Sequence, residues 1–360
     1  MTRETRTDAA RRWLLSDALP LWRGTGVDRD GFGVWEALDH DAKPLTTMNK
    51  RFRVPIRQAF VFATAAQVLG TDDGPLAAKL FAQSMADGVA ADTGALAALH
   101  APDGTILSAP HDLYDLAFVI LADASLQAGG HTPETDLMPL LDRLKVDRGW
   151  RENLFGRIGP RRQNPHMHLF EAALAQVAAG DERYRPIAEE CLSLLHDVFL
   201  QPDGSLFEYF DDDWVPVATG QRVEPGHMAE WVYLLDYYHR VTGKETGVDI
   251  DQLFAQARAA RAENGFLPDA TMPDVPTQRF WPQTELLKAA LVQERRGAVG
   301  PDMADAIFDQ IFATYLATPV RGGWFDQFDA EGALISGNMP ASTGYHIMLA
   351  LLWFCEVREA

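Results

Sequence analysis

The feature that most restricts the fold of this chain is a glycine-led segment of alternating apolar and polar residues that recurs six times. Three copies read Gly31-Phe-Gly-Val-Trp-Glu, Gly204-Ser-Leu-Phe-Glu-Tyr-Phe and Gly323-Trp-Phe-Asp-Gln-Phe. The leading glycines stand at positions 31, 94, 149, 204, 265 and 323, so successive spacings are 63, 55, 55, 61 and 58 residues. Each segment runs into acidic or glycine turn residues, which is typical of a short β-hairpin. The chain therefore repeats one structural unit about six times.

Helical periodicity fills the sequence between these segments. A unit of one helix pair cannot bury its own apolar face and needs neighbours on both sides. Six pairs without a capping unit favour a closed ring over an open solenoid. We therefore predict an all-α (α/α)6 barrel with short β-hairpins in its connecting loops, formed by residues 1–360 as a single domain. The predicted helices span 5–22, 48–69, 75–91, 112–128, 134–145, 164–179, 184–200, 224–241, 249–263, 279–295, 301–317 and 342–357.

Charge and apolar content restrict the classes of partner. The formal net charge of −19 argues against nucleic acid or an anionic membrane as the main partner. No apolar run approaches the roughly 18 residues that span a bilayer, and the polar first residues show no secretory signal. Cys191 and Cys355 lie in apolar helical patterns and are expected to be buried free thiols. We expect a cytoplasmic enzyme or binding protein, as a monomer or homodimer.

The even-numbered predicted helices form the more apolar set, as expected of an inner ring that is packed on both sides. They also carry most of the unexpected polar side chains, chiefly near their first turns. Because all six inner helices run in the same direction, most of these groups gather at one end of a central cavity. The groups are Arg57, Tyr114, Asn164, His168, His227, Glu230, Trp281, Glu285 and His346. This convergence indicates a binding or catalytic site.

Two helix starts carry histidine in an apolar setting. Asn164 is a good N-cap and Pro165 suits the first helical position, so His166 and His168 fall in the first turn of an apolar helix. Polar side chains at such a buried helix start favour a polar ligand. The alternative is that both are surface or capping histidines. His346 opens the last helix and is, by itself, equally compatible with a satisfied core histidine.

The remaining candidates also have two interpretations each. Glu230 follows His227 by one helical turn and can orient that imidazole, or it can simply favour the helix dipole. Trp281 and Glu285 suit a sugar, which stacks on an aromatic face and bonds to a carboxylate. They also fit a core tryptophan with a solvated glutamate. Arg57 has apolar neighbours on both sides, and a buried arginine must be paired or bind an anionic group.

The motifs Arg162-Gln-Asn-Pro-His-Met-His-Leu-Phe-Glu-Ala and Pro225-Gly-His-Met-Ala-Glu-Trp, with the late His346, resemble the N-acylglucosamine 2-epimerase superfamily. The resemblance covers nearly the whole chain and implies an (α/α)6 barrel. It also implies a sugar isomerase or 2-epimerase, and the first motif is most similar to the mannose isomerase branch.

The resemblance further implies a role for each site residue. His227 and His346 would be the acid–base pair at C2 of the opened sugar, and His168 would assist ring opening or hold the substrate. Arg57 would stabilise the enediolate oxygen, and Glu230 would be the carboxylate partner. The sugar pocket would be lined by Asn164, Tyr114, Trp281 and Glu285 and, on a looser similarity, by Trp324 and Asp326.

These observations favour a cofactor-independent aldose–ketose isomerase that converts a free monosaccharide of the mannose-to-fructose type. The reaction needs a base whose pKa is near neutrality and a cation beside the oxygen on which negative charge develops, and it needs no metal. A sugar 2-epimerase, a glycoside hydrolase that uses Glu230 and Glu285, a metal-dependent isomerase and a sugar-binding toroid are the alternatives. A phosphorylated or sulfonated sugar stays possible as the substrate, because three arginines are expected near the pocket mouth: Arg157, Arg161 and Arg162.

Overall fold

Helices alternate between an inner and an outer ring along the chain. The computed structural model describes residues 3–131, 136–155 and 159–359. The inner helices are α2 (Arg53–Leu69), α4 (Leu113–Ala128), α6 (Gln163–Ala178), α8 (Pro225–Thr242), α10 (Phe280–Arg295) and α12 (Gly344–Glu359). The outer helices are α1 (Arg3–Arg12), α3 (Gly74–Asp87), α5 (Met138–Asp142), α7 (Arg185–Leu194), α9 (Ile250–Ala259) and α11 (Pro301–Thr314). Further helical turns extend α1 to Gly26 and α7 to Phe199.

The inner ring is closed. Each inner helix contacts the next one along the chain, and α12 contacts α2. The outer helices α3, α5, α7, α9 and α11 each pack on the inner helix that precedes them, while α1 packs on α12. A strand pair between the first and last units, with Ala37 opposite Pro340, joins the two ends of the ring. These contacts confirm the predicted (α/α)6 barrel.

Short strands connect neighbouring units where the inner helices begin. The strands are β1 (Ala37–Leu38), β2 (Lys50–Arg51), β3 (Leu99–His100), β4 (Ile106–Ser108), β5 (Arg161–Arg162), β6 (Tyr209–Phe210), β7 (Ala270–Thr271), β8 (Asp274–Val275), β9 (Gln278–Arg279), β10 (Gln327–Phe328) and β11 (Met339–Pro340). The pairs β2–β3, β5–β6, β9–β10 and β1–β11 join different units, whereas β3–β4 and β7–β8 are local. The predicted hairpins exist, but several close only through single bridges such as Leu200 to Leu206. Strands of two or three residues are too short to be stable alone, so they pair across units.

Two predicted helix boundaries are wrong. The helix predicted from residue 48 begins at Arg53, because Lys50 and Arg51 pair with β3 as strand β2. The helix predicted over 134–145 is only Met138–Asp142, and residues 132–135 lie outside the described part of the chain. The other predicted helices lie within a few residues of those observed, apart from α1, which starts earlier and continues to Gly26.

The core lies between the two rings. Large inner-helix side chains are almost fully buried, among them Phe118, Phe170, Trp231, Leu287 and Phe354. Cys191 and Cys355 are buried free thiols, as expected. Within the described ranges, none of the helices combines the length and the apolar character needed to cross a bilayer. Burial on both faces explains why the inner helices are so apolar and why their few polar side chains are informative.

Candidate active site

A cavity of about 320 Å³ opens at the end of the barrel where the inner helices begin. Eight of its fifteen lining residues lie in the first two turns of those helices, so the inner helices direct polar groups to a common space. Of the residues singled out in the sequence, the cavity is lined by Arg57, Tyr114, Asn164, His168, His227, Glu230, Trp281, Asp326 and His346. Other lining residues include Arg51, Glu224, Arg279, Ser342 and Thr343.

Three imidazoles line this cavity, and a buried carboxylate holds the Nδ1 atom of each. The Nδ1-to-oxygen distances are 3.2 Å for His168 to Glu171, 2.7 Å for His227 to Glu208 and 2.7 Å for His346 to Glu285. An Nδ1–H that donates to a carboxylate fixes the orientation and tautomer of the ring. The Nε2 atom of each imidazole can therefore form a hydrogen bond with a second group. The three pairs are the chemical centre of the site.

His346 and His168 are neutral at physiological pH. Burial, and next the nearby charges of Arg57 and Lys288, hold the pKa of His346 well below its usual range. Burial also lowers the pKa of His168 to about 4, against the opposing effect of Glu171. A neutral imidazole whose Nδ1 is a donor carries its lone pair on Nε2. Both histidines can therefore accept a proton from a bound molecule.

His227, unlike His346 and His168, is protonated at neutral pH. Burial by itself lowers the pKa of His227, but the charges of Glu208 and Glu224 overcome this effect and raise the pKa to about 10. The imidazole is therefore protonated at neutral pH and can donate a proton. One cavity thus contains an imidazolium that can donate a proton and neutral imidazoles that can accept one. Such a difference between groups in one site is how proteins assign acid and base roles.

Asn164 contacts His227 instead of capping its own helix. The helix begins one residue earlier, at Gln163, and no side chain caps it. The Asn164 amide nitrogen lies 3.1 Å from Nε2 of His227, and the Asn164 amide oxygen has no partner among the described residues. An imidazolium Nε2–H needs an acceptor, so a 180° turn of the amide satisfies both groups. The predicted N-cap role of Asn164 is therefore wrong.

Glu230 faces the cavity without a hydrogen-bond partner. It is 1% exposed, and neither carboxylate oxygen is bonded within the described part of the chain. Burial, followed by the charge of Glu285, raises the pKa of Glu230 well above its usual value. The carboxyl group therefore takes up a proton more readily than a free glutamate does, and in its protonated form it can donate a hydrogen bond to a bound oxygen atom. The predicted pairing of Glu230 with His227 is wrong, because Glu208 takes that position.

Arg57 and Tyr114 form one wall of the cavity. The Arg57 Nη2 atom donates to the Tyr114 hydroxyl at 2.7 Å, and its Nη1 donates to the Ser342 carbonyl at 3.3 Å. The guanidinium lies 3.9 Å above the ring of Phe118. No carboxylate forms a salt bridge with Arg57 among the described residues. Its positive charge is therefore available to an anionic oxygen in the cavity.

Trp281 lies between the two histidines that the sequence assigns to acid–base chemistry. Its ring centroid is 5.0 Å from that of His227 and 5.6 Å from that of His346. Gly226 allows this approach, because a Cβ at that position would lie 2.7 Å from the Trp281 ring. The indole therefore provides a flat apolar surface with an imidazole nearby on each of two helices.

Two residues predicted to bind sugar do not line the cavity. Trp324 is 1% exposed and stacks on Trp22 of the outer ring, with ring centroids 4.5 Å apart. Glu285 is fully buried behind His346, where it also contacts the ammonium of Lys288 at 2.6 Å. Both assignments are corrected, because aromatic stacking and an ion pair already occupy these side chains.

His166 belongs to the core and not to the site. Its Nδ1–H donates to the Arg162 carbonyl at 2.9 Å, and its Nε2 accepts from the Trp150 amide at 3.3 Å. Burial lowers its pKa to about 4. Because successive helical residues point in different directions, His168 enters the cavity and His166 does not.

Two sets of described side chains place potential ligand atoms within 4.8 Å of one another. They are His168 with Glu171 and Glu230, and Glu230 with Glu285 and His346. Hydrogen bonds within the two histidine–carboxylate pairs and the Lys288 ammonium already engage His168, Glu171, Glu285 and His346, so we assign these four as hydrogen-bonded pairs. Glu230, which is common to both sets, has no hydrogen-bond partner among the described residues. The proximity also shows that Glu230 lies between His168 and His346. That the reaction needs no metal or cofactor stays a prediction.

The three carboxylates that hold Nδ1 were not assigned to these roles from the sequence. Glu208 lies immediately before strand β6, and the β5–β6 pair brings it to the start of α6. There the Gln163 side chain donates to both oxygens of Glu208 at 3.1 Å. Glu171 is one turn beyond His168, and this spacing was the available signal. For Glu208, the available signal was its position in a hairpin segment shortly before the inner helix that carries His227.

Several known proteins are similar to this chain over most of its length. The chain is 33% identical to a Rhizobium meliloti (strain 1021) protein named mannose-6-phosphate isomerase, over 94% of each chain. The fold matches a cellobiose 2-epimerase from Spirochaeta thermophila DSM 6192 with a TM-score of 0.84 and 20% identity, over 99% of this chain and 98% of that one. A D-mannose isomerase structure matches with a TM-score of 0.83 and 20% identity, over 98% and 97%.

The family assignment rests on the sequence match. The description of the matching family is N-acylglucosamine 2-epimerase (GlcNAc 2-epimerase), and the match covers residues 32–350. This range includes every residue that lines the cavity. The resemblance inferred from the motifs is thereby confirmed. The chain belongs to the N-acylglucosamine 2-epimerase family of sugar isomerases and epimerases.

Proposed function

We propose that this protein is an aldose–ketose isomerase that acts on a free monosaccharide, with mannose and fructose as the favoured pair. The observation that carries the proposal is the pair of histidines beside Trp281, of which His346 is neutral and His227 is protonated, with the guanidinium of Arg57 in the same cavity. A base, an acid and an oxyanion-stabilising cation are the three groups that proton transfer next to a carbonyl requires.

The reaction moves one proton between carbons and one between oxygens. Nε2 of His346 removes the proton from C2 of the open-chain aldose, and the electrons form the C1–C2 double bond of an enediolate. Arg57 stabilises the negative charge that develops on the C1 oxygen. The His227 imidazolium then protonates that oxygen and takes the proton from the C2 hydroxyl. His346 returns its proton to C1, which completes the ketose.

A sugar 2-epimerase is the second candidate. The observation that favours it is that His227 and His346 approach Trp281 from two different helices, α8 and α12. Epimerisation needs one group to remove the C2 proton and a second to deliver a proton to the opposite face of C2. Two imidazoles in the cavity meet that requirement. The position of a solvent-derived deuterium distinguishes the two reactions.

The charges at the cavity mouth favour a neutral sugar over a sugar phosphate. Arg51 donates to Glu36, and Arg279 lies 3.1 Å from Asp269 and 3.9 Å from Glu224. These guanidinium charges are thus already compensated, and a phosphate dianion would gain little from them.

The arginines singled out near the mouth add no free charge. Arg162 donates to Glu152 at 2.6 Å, and Arg161 lies 3.5 Å from Asp212. Arg157 lies outside the described residues. Neither Arg161 nor Arg162 lines the cavity, whereas Glu224 and Asp326 contribute acidic groups to its lining. This balance supports a free monosaccharide as substrate.

The proposal is tested by incubating the protein in deuterium oxide with mannose, fructose, glucose, mannose 6-phosphate and cellobiose. Deuterium at C1 of fructose formed from mannose is the expected result, and kcat/KM for mannose is expected to exceed that for mannose 6-phosphate at least about tenfold, equivalent to about 1.4 kcal/mol. Deuterium at C2 of an epimerised aldose identifies the 2-epimerase. Cleavage of cellobiose, or no exchange with any of these sugars, contradicts both candidates.

The pH dependence provides a further prediction. Replacing Glu208 by glutamine removes the charge that raises the pKa of His227, so this pKa falls from about 10 towards its ordinary value. His227 acts as an acid and is active only while protonated. The alkaline limb of the pH profile of kcat/KM should therefore move to lower pH by about one unit or more.

Glu224→Gln is the matched control for this variant. Its carboxylate lies 3.9 Å from the same Nδ1 atom but forms no hydrogen bond with it, so a smaller displacement is expected. An alkaline limb that stays in place in Glu208→Gln would show that His227 is not the acid.

A further inference from the structure

Lys288 is a fully buried lysine directly behind the His346 pair. Its side chain is 0% exposed, and its ammonium lies 2.6 Å from the Glu285 carboxylate on the same helix. The ammonium also lies 4.4 Å from the centre of the Tyr233 ring. Lys288 does not line the cavity and cannot touch a bound sugar. The proton-transfer scheme above therefore leaves it without a role.

A buried ammonium is unfavourable unless nearby negative charge compensates for its lost hydration. Burial by itself lowers the pKa of Lys288, but the charges of Glu285 and Glu230 overcome this effect and raise it. The lysine is therefore a permanent positive charge inside the barrel. It contacts the one carboxylate that holds Nδ1 of His346.

The three histidine–carboxylate pairs differ in the group that holds the carboxylate. The Tyr345 hydroxyl donates to Glu171, and the Gln163 amide donates to Glu208. Both of these donors are neutral. Glu285 alone among the three is held by a cation. A carboxylate whose charge is compensated raises the basicity of its imidazole less than a free carboxylate does.

We propose that Lys288 is a positioning residue that makes His346 the base of the reaction. Its ammonium offsets the charge of Glu285, so Glu285 holds the ring by its Nδ1–H without drawing a second proton onto it. His227, whose carboxylate has only a neutral donor, takes up a proton and becomes the acid. The difference between the two histidines thus originates in Lys288 on one side and Gln163 on the other. The inference rests on the proposed acid–base function.

Other charges around the pair come from every inner helix that contributes to the site. Lys288 also lowers the pKa of Glu171 and of Glu230, so its removal makes these two carboxylates easier to protonate. Glu285 contacts both the ammonium and His346, so the change at Glu285 is expected to set the sign of the effect. Removing the ammonium makes the His346–Glu285 pair bind its extra proton at higher pH, and His346 then loses its lone pair nearer to neutrality. The charged and titratable groups that face the pair are Arg57, His168, Glu171, His227, Glu230, Tyr233 and Tyr345.

The test uses Lys288→Met, which keeps an unbranched side chain of similar length and removes its charge. We expect the acid limb of the kcat/KM profile to move to higher pH by about one unit or more. Nitrogen NMR of the imidazoles is expected to show His346 protonating at correspondingly higher pH, without any substrate present. Lys288→Gln, whose amide can still donate to Glu285, is the second variant in case Lys288→Met does not fold, and the same displacement is expected.

Lys50→Met is the matched control. Lys50 is also a buried lysine, bonded to Asp28 and to the Phe32 carbonyl, and it does not line the cavity. Its removal should lower stability but leave the His346 titration unchanged. An unchanged acid limb and an unchanged His346 titration in a folded Lys288 variant would overturn the inference. If the wild-type protein exchanges no proton with any sugar, the proposed function fails, while the NMR titration still decides the effect of Lys288 on His346.

Discussion

Replacing His346 by alanine is expected to lower kcat/KM by at least about 10²-fold, the usual effect of removing a general base. The ring is 6% exposed, its Nδ1 is fixed by Glu285, and its neutral form carries the lone pair that accepts the C2 proton in the proposed reaction. No other described imidazole is held by Glu285, so the function cannot pass to a neighbour without a rearrangement. The loss should be measured both as ketose formation and as deuterium exchange at C2, with circular dichroism to confirm the fold.

His166→Ala is the matched control for this variant. His166 is also buried at the start of an inner helix, but its nitrogens bond to the Arg162 carbonyl and the Trp150 amide. Its loss leaves a buried carbonyl and a buried amide unpaired, which destabilises a protein by about 1–3 kcal/mol per group. The folded variant should keep the exchange reaction. Full exchange activity in His346→Ala would reject the assignment of the base.

Replacing Arg57 by methionine is expected to lower kcat by about 10²–10³-fold, with a smaller change in KM. The reason is that negative charge appears on the C1 oxygen only as the enediolate forms. An interaction made mainly in the transition state changes kcat more than substrate binding. The guanidinium is held in place by Tyr114 and by the ring of Phe118, so it is already oriented before the charge develops. Steady-state kinetics with mannose measure the effect.

Arg53→Met is the matched control on the same helix. Arg53 pairs with the fully buried Asp115 at 2.7 Å and does not line the cavity. Breaking a buried ion pair from one side destabilises a protein by about 3–5 kcal/mol. This variant should therefore unfold more easily and still have a nearly normal kcat while folded. A higher KM with an unchanged kcat in Arg57→Met would contradict stabilisation of the enediolate and indicate a role in substrate binding alone.

The ring architecture and most of the cavity lining were accessible from the sequence, because both depend on local patterns. Helical periodicity and recurrent glycines identify six helix pairs, and the common direction of the inner helices brings their first turns together. Arg57, His168, His227 and His346 were identified in this way. The prediction that Trp324 lines the pocket was wrong, because a hairpin pattern does not show which face of the hairpin stacks on a neighbouring helix. Its contact with Trp22 joins residues about 300 positions apart in the chain.

The sequence by itself determined which imidazoles and which arginine face the cavity, since helix direction and position in the first turn decide this. Only the tertiary structure decided the charge of each. Glu208 reaches His227 from the residue before strand β6, 19 residues earlier, and Glu285 reaches His346 from the neighbouring inner helix, 61 residues away. Proton affinity in a buried site depends on burial and on charges a few ångströms away. Those neighbours are set by ring closure and strand pairing, which no local pattern specifies.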